Sequence, residues 1–191
     1  MSIIPKHSRV LDLGCADGVL LQRLINEKNI QGQGVELSHE GVKSCIEKGL
    51  TVFQGNLDEG LEGFSENSFD FVILNYTLKF LKRPEFVLGE ILKIGNNIII
   101  GMQNSAFFLN RFRFLLSGKM NNGNNNLGFL SNLISIRQFL TFCRKLQLNV
   151  VRKCYLNGKF KIPIHLFPNL IAESAVFLLN KKDDFSNYDL Y

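Results

Sequence analysis

VLDLGCADG, residues 10–18, is a short apolar run that ends in a turn marked by Gly14 and Gly18. Such a run is typical of a buried strand, and the two glycines indicate a tight turn into a helix. Apolar residues then recur at helical spacing, at Leu20, Leu21, Leu24 and Ile25. A strand, a glycine turn and a helix in this order open many parallel α/β sheets, which bind ligands at this turn.

The alternation of strands and helices continues through the first half of the chain. We predict strands at 9–14, 33–37, 50–56, 69–75 and 97–102. Helices between them are expected to begin near Asp17, Ser38 and Pro84. The helix from Ser38 should end at Gly49, and the helix from Pro84 should end at Gly95. On the second helix, Val42, Cys45 and Ile46 are expected to face the core. This pattern predicts an α/β fold with a mostly parallel sheet and helices on both faces.

The second half of the chain departs from this regular alternation. Residues 107–116 predict an amphipathic helix over an edge or a cleft, interrupted by Arg111 and Arg113. Ser135 is expected to cap another helix, whose inward residues are Ile136, Phe139, Leu140, Cys143 and Leu146. Strands at 148–156 and 173–180 have no helical crossover between them, so they should pair antiparallel. The sheet would then have seven strands.

Length and composition fit one globular domain over residues 1–191, with a core at 8–180 and a mobile Asn-rich loop at about 119–132. The four cysteines lie far apart without a CxxC pair, which argues against a metal site and against disulfides. The chain lacks a run of roughly 18 uncharged apolar residues, so we expect a soluble, cytoplasmic protein without a membrane span. Residues 79–191 carry 16 basic and 6 acidic residues, which would suit an anionic partner or a solvated surface.

The glycine turn does not match a dinucleotide site. Such a site needs GxGxxG, because two of its glycines admit the pyrophosphate and close helix packing, whereas Ala16 and Val19 stand at those positions here. S-adenosylmethionine has no phosphate and needs only space and polar backbone groups. We therefore place its methionine part beside Asp12, Gly14, Cys15 and Gly18, with Cys15 as a small wall residue.

Two further strand ends suit an adenosine. Glu36 and Leu37 end the second strand about twenty residues after the turn, where the carboxylate can accept from both ribose hydroxyls. Asn56 and Leu57 follow the third strand and would meet the adenine ring, and Asn75 ends the fourth. The alternative is structural: the glycines would only form a turn, Glu36 would cap the next helix and Asn56 would be a turn residue.

Several blocks together resemble the MetW family of methionine biosynthesis proteins, which belongs to the class I S-adenosylmethionine-dependent methyltransferases. They are RVLDLGCADGVLLQRL, GVELSHEGVKSCIEKG, VFQGNLDEGL, FDFVILNYTL, RPEFVLGEILKIG and NLIAESAVFLL, with RFRFLLSGKM similar to the family's LLLRGRMP region. The resemblance covers residues 8–180. It implies a Rossmann-like class I methyltransferase fold and a bacterial protein that acts alongside homoserine O-acetyltransferase.

This chain departs from the family pattern at three places. The family's GCGDG is GCADG here, its QGD is QGN, and its PNFGHW is replaced by QNSAFF with a shortened loop after it. The cofactor-binding positions are mostly retained, whereas the segment that would close over a substrate is altered. The residues thus support cofactor binding more directly than they identify a methyl acceptor.

Two classes of function remain open. The first is a methyltransferase acting on a small molecule, with Asn75 and Tyr76 orienting the acceptor and Lys79 and Lys82 attracting an anionic group. No side chain is identified as catalytic, and Tyr76 would alternatively pack under the helix at 107–116. The second is a binding partner or regulator of homoserine O-acetyltransferase that transfers no methyl group. A nucleic-acid methyltransferase is disfavoured, because the fourth strand ends in LNYT and lacks an NPPY-type motif.

Overall fold

A computed structural model describes residues 3–117, 134–158, 162–163 and 166–181. The strands are β1 (Arg9–Leu13), β2 (Gln31–Glu36), β3 (Thr51–Gln54), β4 (Phe69–Asn75), β5 (Gly95–Gln103), β6 (Leu148–Asn157), β7 (Ile162–Pro163) and β8 (Ser174–Lys181). The helices are α1 (Val19–Lys28), α2 (His39–Glu47), α3 (Pro84–Ile94), α4 (Phe108–Ser117), α5 (Ile136–Lys145) and α6 (Pro168–Ile171). The loop expected at 119–132 lies outside the described residues.

The strands form one sheet in the order β3-β2-β1-β4-β5-β8-β6-β7. The first five are parallel, and β8 lies antiparallel between β5 and β6. The predicted seven-stranded Rossmann-like sheet is confirmed, with the two-residue strand β7 added at one edge. Because β1 lies between β2 and β4, the strand order reverses there and opens a crevice at the carboxyl ends of the parallel strands.

Apolar side chains on the two faces of the sheet form two cores. One core packs α1 and α2 on the sheet, around Val10, Leu21 and Cys45. The other packs α3 and α5, and there the rings of Phe139 and Phe177 lie 4.7 Å apart. Helices therefore cover both faces, as the alternating sequence predicts.

Helix starts agree with the sequence except at α1. The hydroxyl of Ser38 accepts from the Gly41 N–H, and Ser135 forms a full capping box with Gln138. At α1 the cap is Gly18, with a φ of 75°, instead of Asp17. The Asp17 carboxylate accepts from Val19 N at 3.4 Å and lies 3.3 Å from the Lys48 ammonium, while Gly18 supplies the left-handed backbone that the turn requires.

Two helices expose apolar residues that sequence periodicity places inside. Ile46 is 62% exposed, because Cys45 takes the inward direction on α2 and the next residue points about 100° away. Helix α4 covers a cleft, as expected, but buries none of its residues, and Leu115 and Leu116 are largely exposed. No helix within the described ranges is long and apolar enough to span a lipid bilayer.

Candidate ligand site at the carboxyl edge of the sheet

The turn after β1 needs both of its glycines. Gly14 has a φ of 73°, and a Cβ on it would lie 2.6 Å from the Thr77 hydroxyl oxygen. Gly18 has a φ of 75°, and a Cβ there would lie 2.4 Å from a methyl carbon of Leu50. Left-handed backbone and close packing thus exclude larger residues at both positions. The turn lies at the crevice where a ligand is expected.

Ala16, between the two glycines, also has left-handed backbone, with a φ of 50°. Its N–H donates to the Glu36 carboxylate at 2.9 Å, and its carbonyl oxygen accepts from the Cys45 thiol. A side chain at such a φ costs about 1 to 2 kcal/mol, which a glycine would avoid. The departure from the family's glycine at this position therefore strains the turn, although hydrogen bonds hold it on both sides.

Asp12 is a buried carboxylate at the end of β1. It is 2% exposed, and its Oδ1 has no hydrogen-bond partner among the described residues. Burial, with a smaller contribution from the charge of Glu36, raises the pKa of Asp12 to about 7. A buried carboxyl without a partner is costly, and a cationic group placed beside it would offset that cost. The chemistry of this atom fits a positively charged ligand in the turn.

Cys15 forms part of the wall of the same turn. It is 6% exposed, and its Sγ lies 3.8 Å from that of Cys45. Burial raises the pKa of the Cys15 thiol, so it stays protonated and is not a nucleophile. Within the described ranges, no group of three His, Cys, Asp or Glu side chains could hold a metal ion. The turn thus combines small neutral walls with the single buried carboxyl of Asp12.

Glu36 reaches from the end of β2 into the turn. One carboxylate oxygen accepts from Ala16 N at 2.9 Å and the other from Ser38 N at 2.8 Å. The second contact is the helix-capping role considered above as the structural alternative. Each oxygen keeps a further lone pair, so the carboxylate can also accept from ribose hydroxyls. Leu37, which follows it, is 63% exposed and offers an apolar surface beside the crevice.

Asn56 and Leu57 follow β3 at the same edge of the sheet. The Asn56 side-chain oxygen accepts from Asp58 N at 3.1 Å, and its NH2 group donates to Glu59 at 2.9 Å. Asn56 is therefore a turn residue, and its oxygen retains one lone pair for a ligand. The Leu57 side chain packs in the core, which leaves only its backbone for contact with an adenine ring.

Asp58 has a structural role that sequence reasoning missed. Its carboxylate accepts from the N–H groups of Lys82 and Arg83, at distances from 2.8 to 3.1 Å. The Arg83 guanidinium donates back to the Asp58 carbonyl and lies 4.3 Å from the centre of the Phe86 ring. The LDEG segment therefore fixes the start of α3. Lys82 takes part in this contact through its backbone.

A cavity of about 390 Å³ lies beyond β4 and β5 under α4. Tyr76 lines it with a φ of 62°, and its N–H donates to Gly101 O at 2.8 Å. Lys79 also lines it, with its Nζ 3.4 Å from Gln103 Oε1. Asn75, at the end of β4, is exposed. Of the four residues expected near a substrate, Tyr76 and Lys79 line this cavity, whereas Asn75 and Lys82 are not among its lining residues. Strained backbone, as at Tyr76, is typical of functional sites.

Thr77 connects the cavity with the glycine turn, which the sequence did not indicate. It is 9% exposed, and its hydroxyl donates to Leu13 O at 2.9 Å while it packs on Gly14. Residues 75–79 therefore run between the two sites. A ligand in the turn and one in the cavity would both contact this short segment.

Asn104 is the central polar residue on the far side of the cavity, also missed from sequence. It is 1% exposed, and its NH2 group donates to Asn169 O and Ala172 O, at 3.0 and 2.8 Å. Its side-chain oxygen accepts from Ala106 N at 3.1 Å and from Ile136 N at 3.3 Å. One amide therefore ties the end of β5 to the segments before α4, α5 and β8.

Comparison with known proteins agrees with this geometry. The family model of methionine biosynthesis protein MetW matches residues 1–179. A bifunctional methionine biosynthesis protein MetXA/MetW from Rhodopirellula baltica is 32% identical over 199 aligned positions, covering 96% of this chain. The chain spans only 32% of that relative's length.

Solved structures show the same fold. An S-adenosylmethionine-dependent methyltransferase from Archaeoglobus fulgidus matches with a TM-score of 0.67 at 17% identity, over 91% of this chain and 86% of that one. A methyltransferase from Thermotoga maritima, described as a possible histamine N-methyltransferase, matches with a TM-score of 0.64 at 22% identity, over 94% and 84%. The chain belongs to the MetW family of methionine biosynthesis proteins, on a fold shared with S-adenosylmethionine-dependent methyltransferases.

Proposed function

We propose that this chain binds S-adenosylmethionine in the glycine turn and transfers its methyl group to a small molecule in the adjacent cavity. The observation that carries the proposal is the unpartnered Oδ1 of buried Asp12. S-adenosylmethionine carries an ammonium and a sulfonium, and a cation beside this carboxyl would hold it in its ionised form. A neutral or phosphate-bearing ligand would leave the carboxyl uncompensated.

Other residues at the ends of β2 and β3 would make the remaining contacts with the cofactor. Glu36 would accept from the ribose hydroxyls, and Leu37 would cover an apolar ring face. Asn56 would contribute its remaining lone pair to the adenine amino group. Gly14 and Gly18 allow the left-handed turn and its close packing on Thr77 and Leu50, which shape the site. When bound, the cofactor supplies an electrophilic methyl carbon whose bond to sulfur breaks with the electron pair moving to sulfur.

The acceptor would be held in the cavity beside residues 75–79, in direct contact with the methyl group. Tyr76, which lines the cavity, would orient it, and α4 would lie over it. Alignment of a lone pair behind the methyl group is the main requirement of such a displacement, so a dedicated base is not required. The cavity, at about 390 Å³, lies at the small end of the range for ligand pockets, which favours a small molecule over a polymer.

The test pairs binding with turnover. Calorimetry with S-adenosylmethionine should show binding that Glu36→Gln weakens by about 1 to 3 kcal/mol, because a charged acceptor of hydroxyl protons is lost. Glu40→Gln, an exposed residue in the first turn of α2, is the matched control and should bind as the wild type does. Formation of S-adenosylhomocysteine with a small-molecule acceptor supports transfer. Equal affinity in both variants would refute the assigned ribose contact.

A second function is favoured by one observation. The Rhodopirellula baltica relative is named for both MetXA and MetW, so a MetW part and a MetXA part occur in one protein there. On this alternative, the chain binds homoserine O-acetyltransferase and adjusts its output without methyl transfer. Co-purification of the two proteins, with acetyl transfer assayed in the presence and absence of this chain, distinguishes the two functions. A complex that changes acetyl transfer without consuming S-adenosylmethionine supports the regulator.

A further inference from the structure

Three charged residues from three separate segments line the cavity under α4. Lys79 follows β4, Arg113 lies on α4, and Glu173 directly precedes β8. Among the described residues, the side chains of Arg113 and Glu173 form no ion pair with any other residue. Lys79 contacts the neutral Gln103 amide at 3.4 Å and the Phe80 ring at 4.9 Å. The cavity therefore presents two cations and one anion that are not neutralised by one another.

The inner wall of the cavity is apolar. Leu78, Met102 and Phe107 line it and are each at least nine-tenths buried, and Leu109 of α4 also lines the cavity. Charged groups therefore occupy the outer part of the cavity and apolar groups its base. A ligand that fits this arrangement has a charged end and an apolar body.

Two hydrogen bonds hold the backbone at Glu173 in place. Glu173 N donates to Leu156 O at 2.9 Å, and its own carbonyl accepts from Asn104 N at 2.9 Å. Asn104 also fixes the residues just before α4, the helix that carries Arg113. The carboxylate and the guanidinium are therefore presented from segments tied to the same buried amide, which limits the cost of ordering them around a ligand.

Resting on the proposed function for the acceptor cavity, we infer that it binds a zwitterionic α-amino acid with an apolar side chain. Lys79 and Arg113 receive its carboxylate, Glu173 receives its ammonium, and the side chain enters the apolar base. The ammonium would have to release its proton to solvent before its nitrogen could take the methyl group. A simple carboxylate would leave Glu173 as a repelling charge, and a simple amine would face two cations. Only a ligand that carries both charges is complementary to all three side chains.

Three probes of similar size test this inference: norleucine with both charges, hexanoate with the carboxylate alone and pentylamine with the amine alone. Each is titrated into the full chain by calorimetry, with and without saturating S-adenosylhomocysteine. Norleucine should bind at least about tenfold tighter than either single-charge probe. Equal affinity for the three, or no binding of norleucine, would overturn the inference.

Charge-neutralising variants assign the roles. Arg113→Gln should weaken norleucine and hexanoate together, whereas Glu173→Gln should weaken norleucine and strengthen hexanoate, because a repelling charge is removed. Lys153→Gln on β6 is the control, and its affinities should not change. A Glu173→Gln variant that leaves both affinities unchanged contradicts the inference. Failure of S-adenosylhomocysteine itself to bind contradicts the proposed function instead, and the titrations without it still decide the amino acid.

Discussion

Replacing Asp12 by Asn tests the buried carboxyl on which the cofactor site depends. In the unfolded chain an Asp ionises near pH 4, whereas burial raises the folded pKa of Asp12 to about 7. Below pH 4 Asp12 is protonated in both the folded and the unfolded state, so its ionisation has no effect on stability. Between pH 4 and 7 the unfolded chain loses the proton and the folded chain keeps it, so stability falls as pH rises.

The expected size follows from that difference in pKa. The two pKa values differ by about 3, and each pKa unit corresponds to about 1.4 kcal/mol. The free energy of unfolding therefore falls by about 4 kcal/mol, and this loss is complete above pH 7. Asp12→Asn removes the ionisation. The free energy of unfolding of this variant, relative to that of the wild type, should therefore rise by about 4 kcal/mol between pH 4 and pH 8. Urea unfolding at a series of pH values measures this curve.

Two further measurements make the test specific. Asp17→Asn is the control in the same turn, because hydrogen bonds from Val19 N and Lys48 lower the pKa of exposed Asp17 and give the opposite pH trend. S-adenosylmethionine should bind the wild type more tightly as pH rises from 6 to 8, since the cation needs ionised Asp12, and should bind Asp12→Asn weakly throughout. Parallel unfolding curves for the wild type and Asp12→Asn between pH 4 and 8 would refute the reasoning.

Three other substitutions test contacts described above. Asn104→Asp removes two buried N–H donors and should lower the free energy of unfolding by about 2 to 6 kcal/mol in urea titrations; a loss below 1 kcal/mol contradicts the network. Ala16→Gly should raise the free energy of unfolding by up to about 1 kcal/mol, and with it the melting temperature, because glycine accepts the left-handed backbone. A lower melting temperature would contradict strain at this position. Asp58→Ala should cost about 1 to 3 kcal/mol without weakening S-adenosylmethionine binding, whereas Glu59→Ala should cost less; equal losses would argue against the contact with α3.

The parts of the fold that depend on local sequence were predictable. Ser38 and Ser135 cap their helices through residues three positions away, and buried strands such as 69–75 are mostly apolar runs. The glycine turn was predictable for the same reason. Its exact cap was not, because the Asp17 carboxylate is shared between Val19 N and Lys48, which is distant in sequence.

The residues missed from sequence act over long separations. Thr77 bonds to a carbonyl 64 positions earlier, and Asn104 bonds to carbonyls 65 and 68 positions later. Spacing along the chain contains no signal for such partners. Arg113 and Glu173 were missed as cavity residues because they meet only once α4 and β8 are placed around β5. Lys79 was found because it follows a predicted strand end directly.

Asn104 joins four backbone segments, so the framework of the cavity does not depend on the outer side chains that would determine its specificity. Because a single amide holds the backbone on the far side of the cavity, exchanges among the outward side chains of α4 or at Glu173 need not disturb the sheet. New acceptor preferences could then arise through point changes on the rim while the cofactor pocket is inherited intact. Libraries confined to those outer positions would sample altered chemistry at little expense in folding.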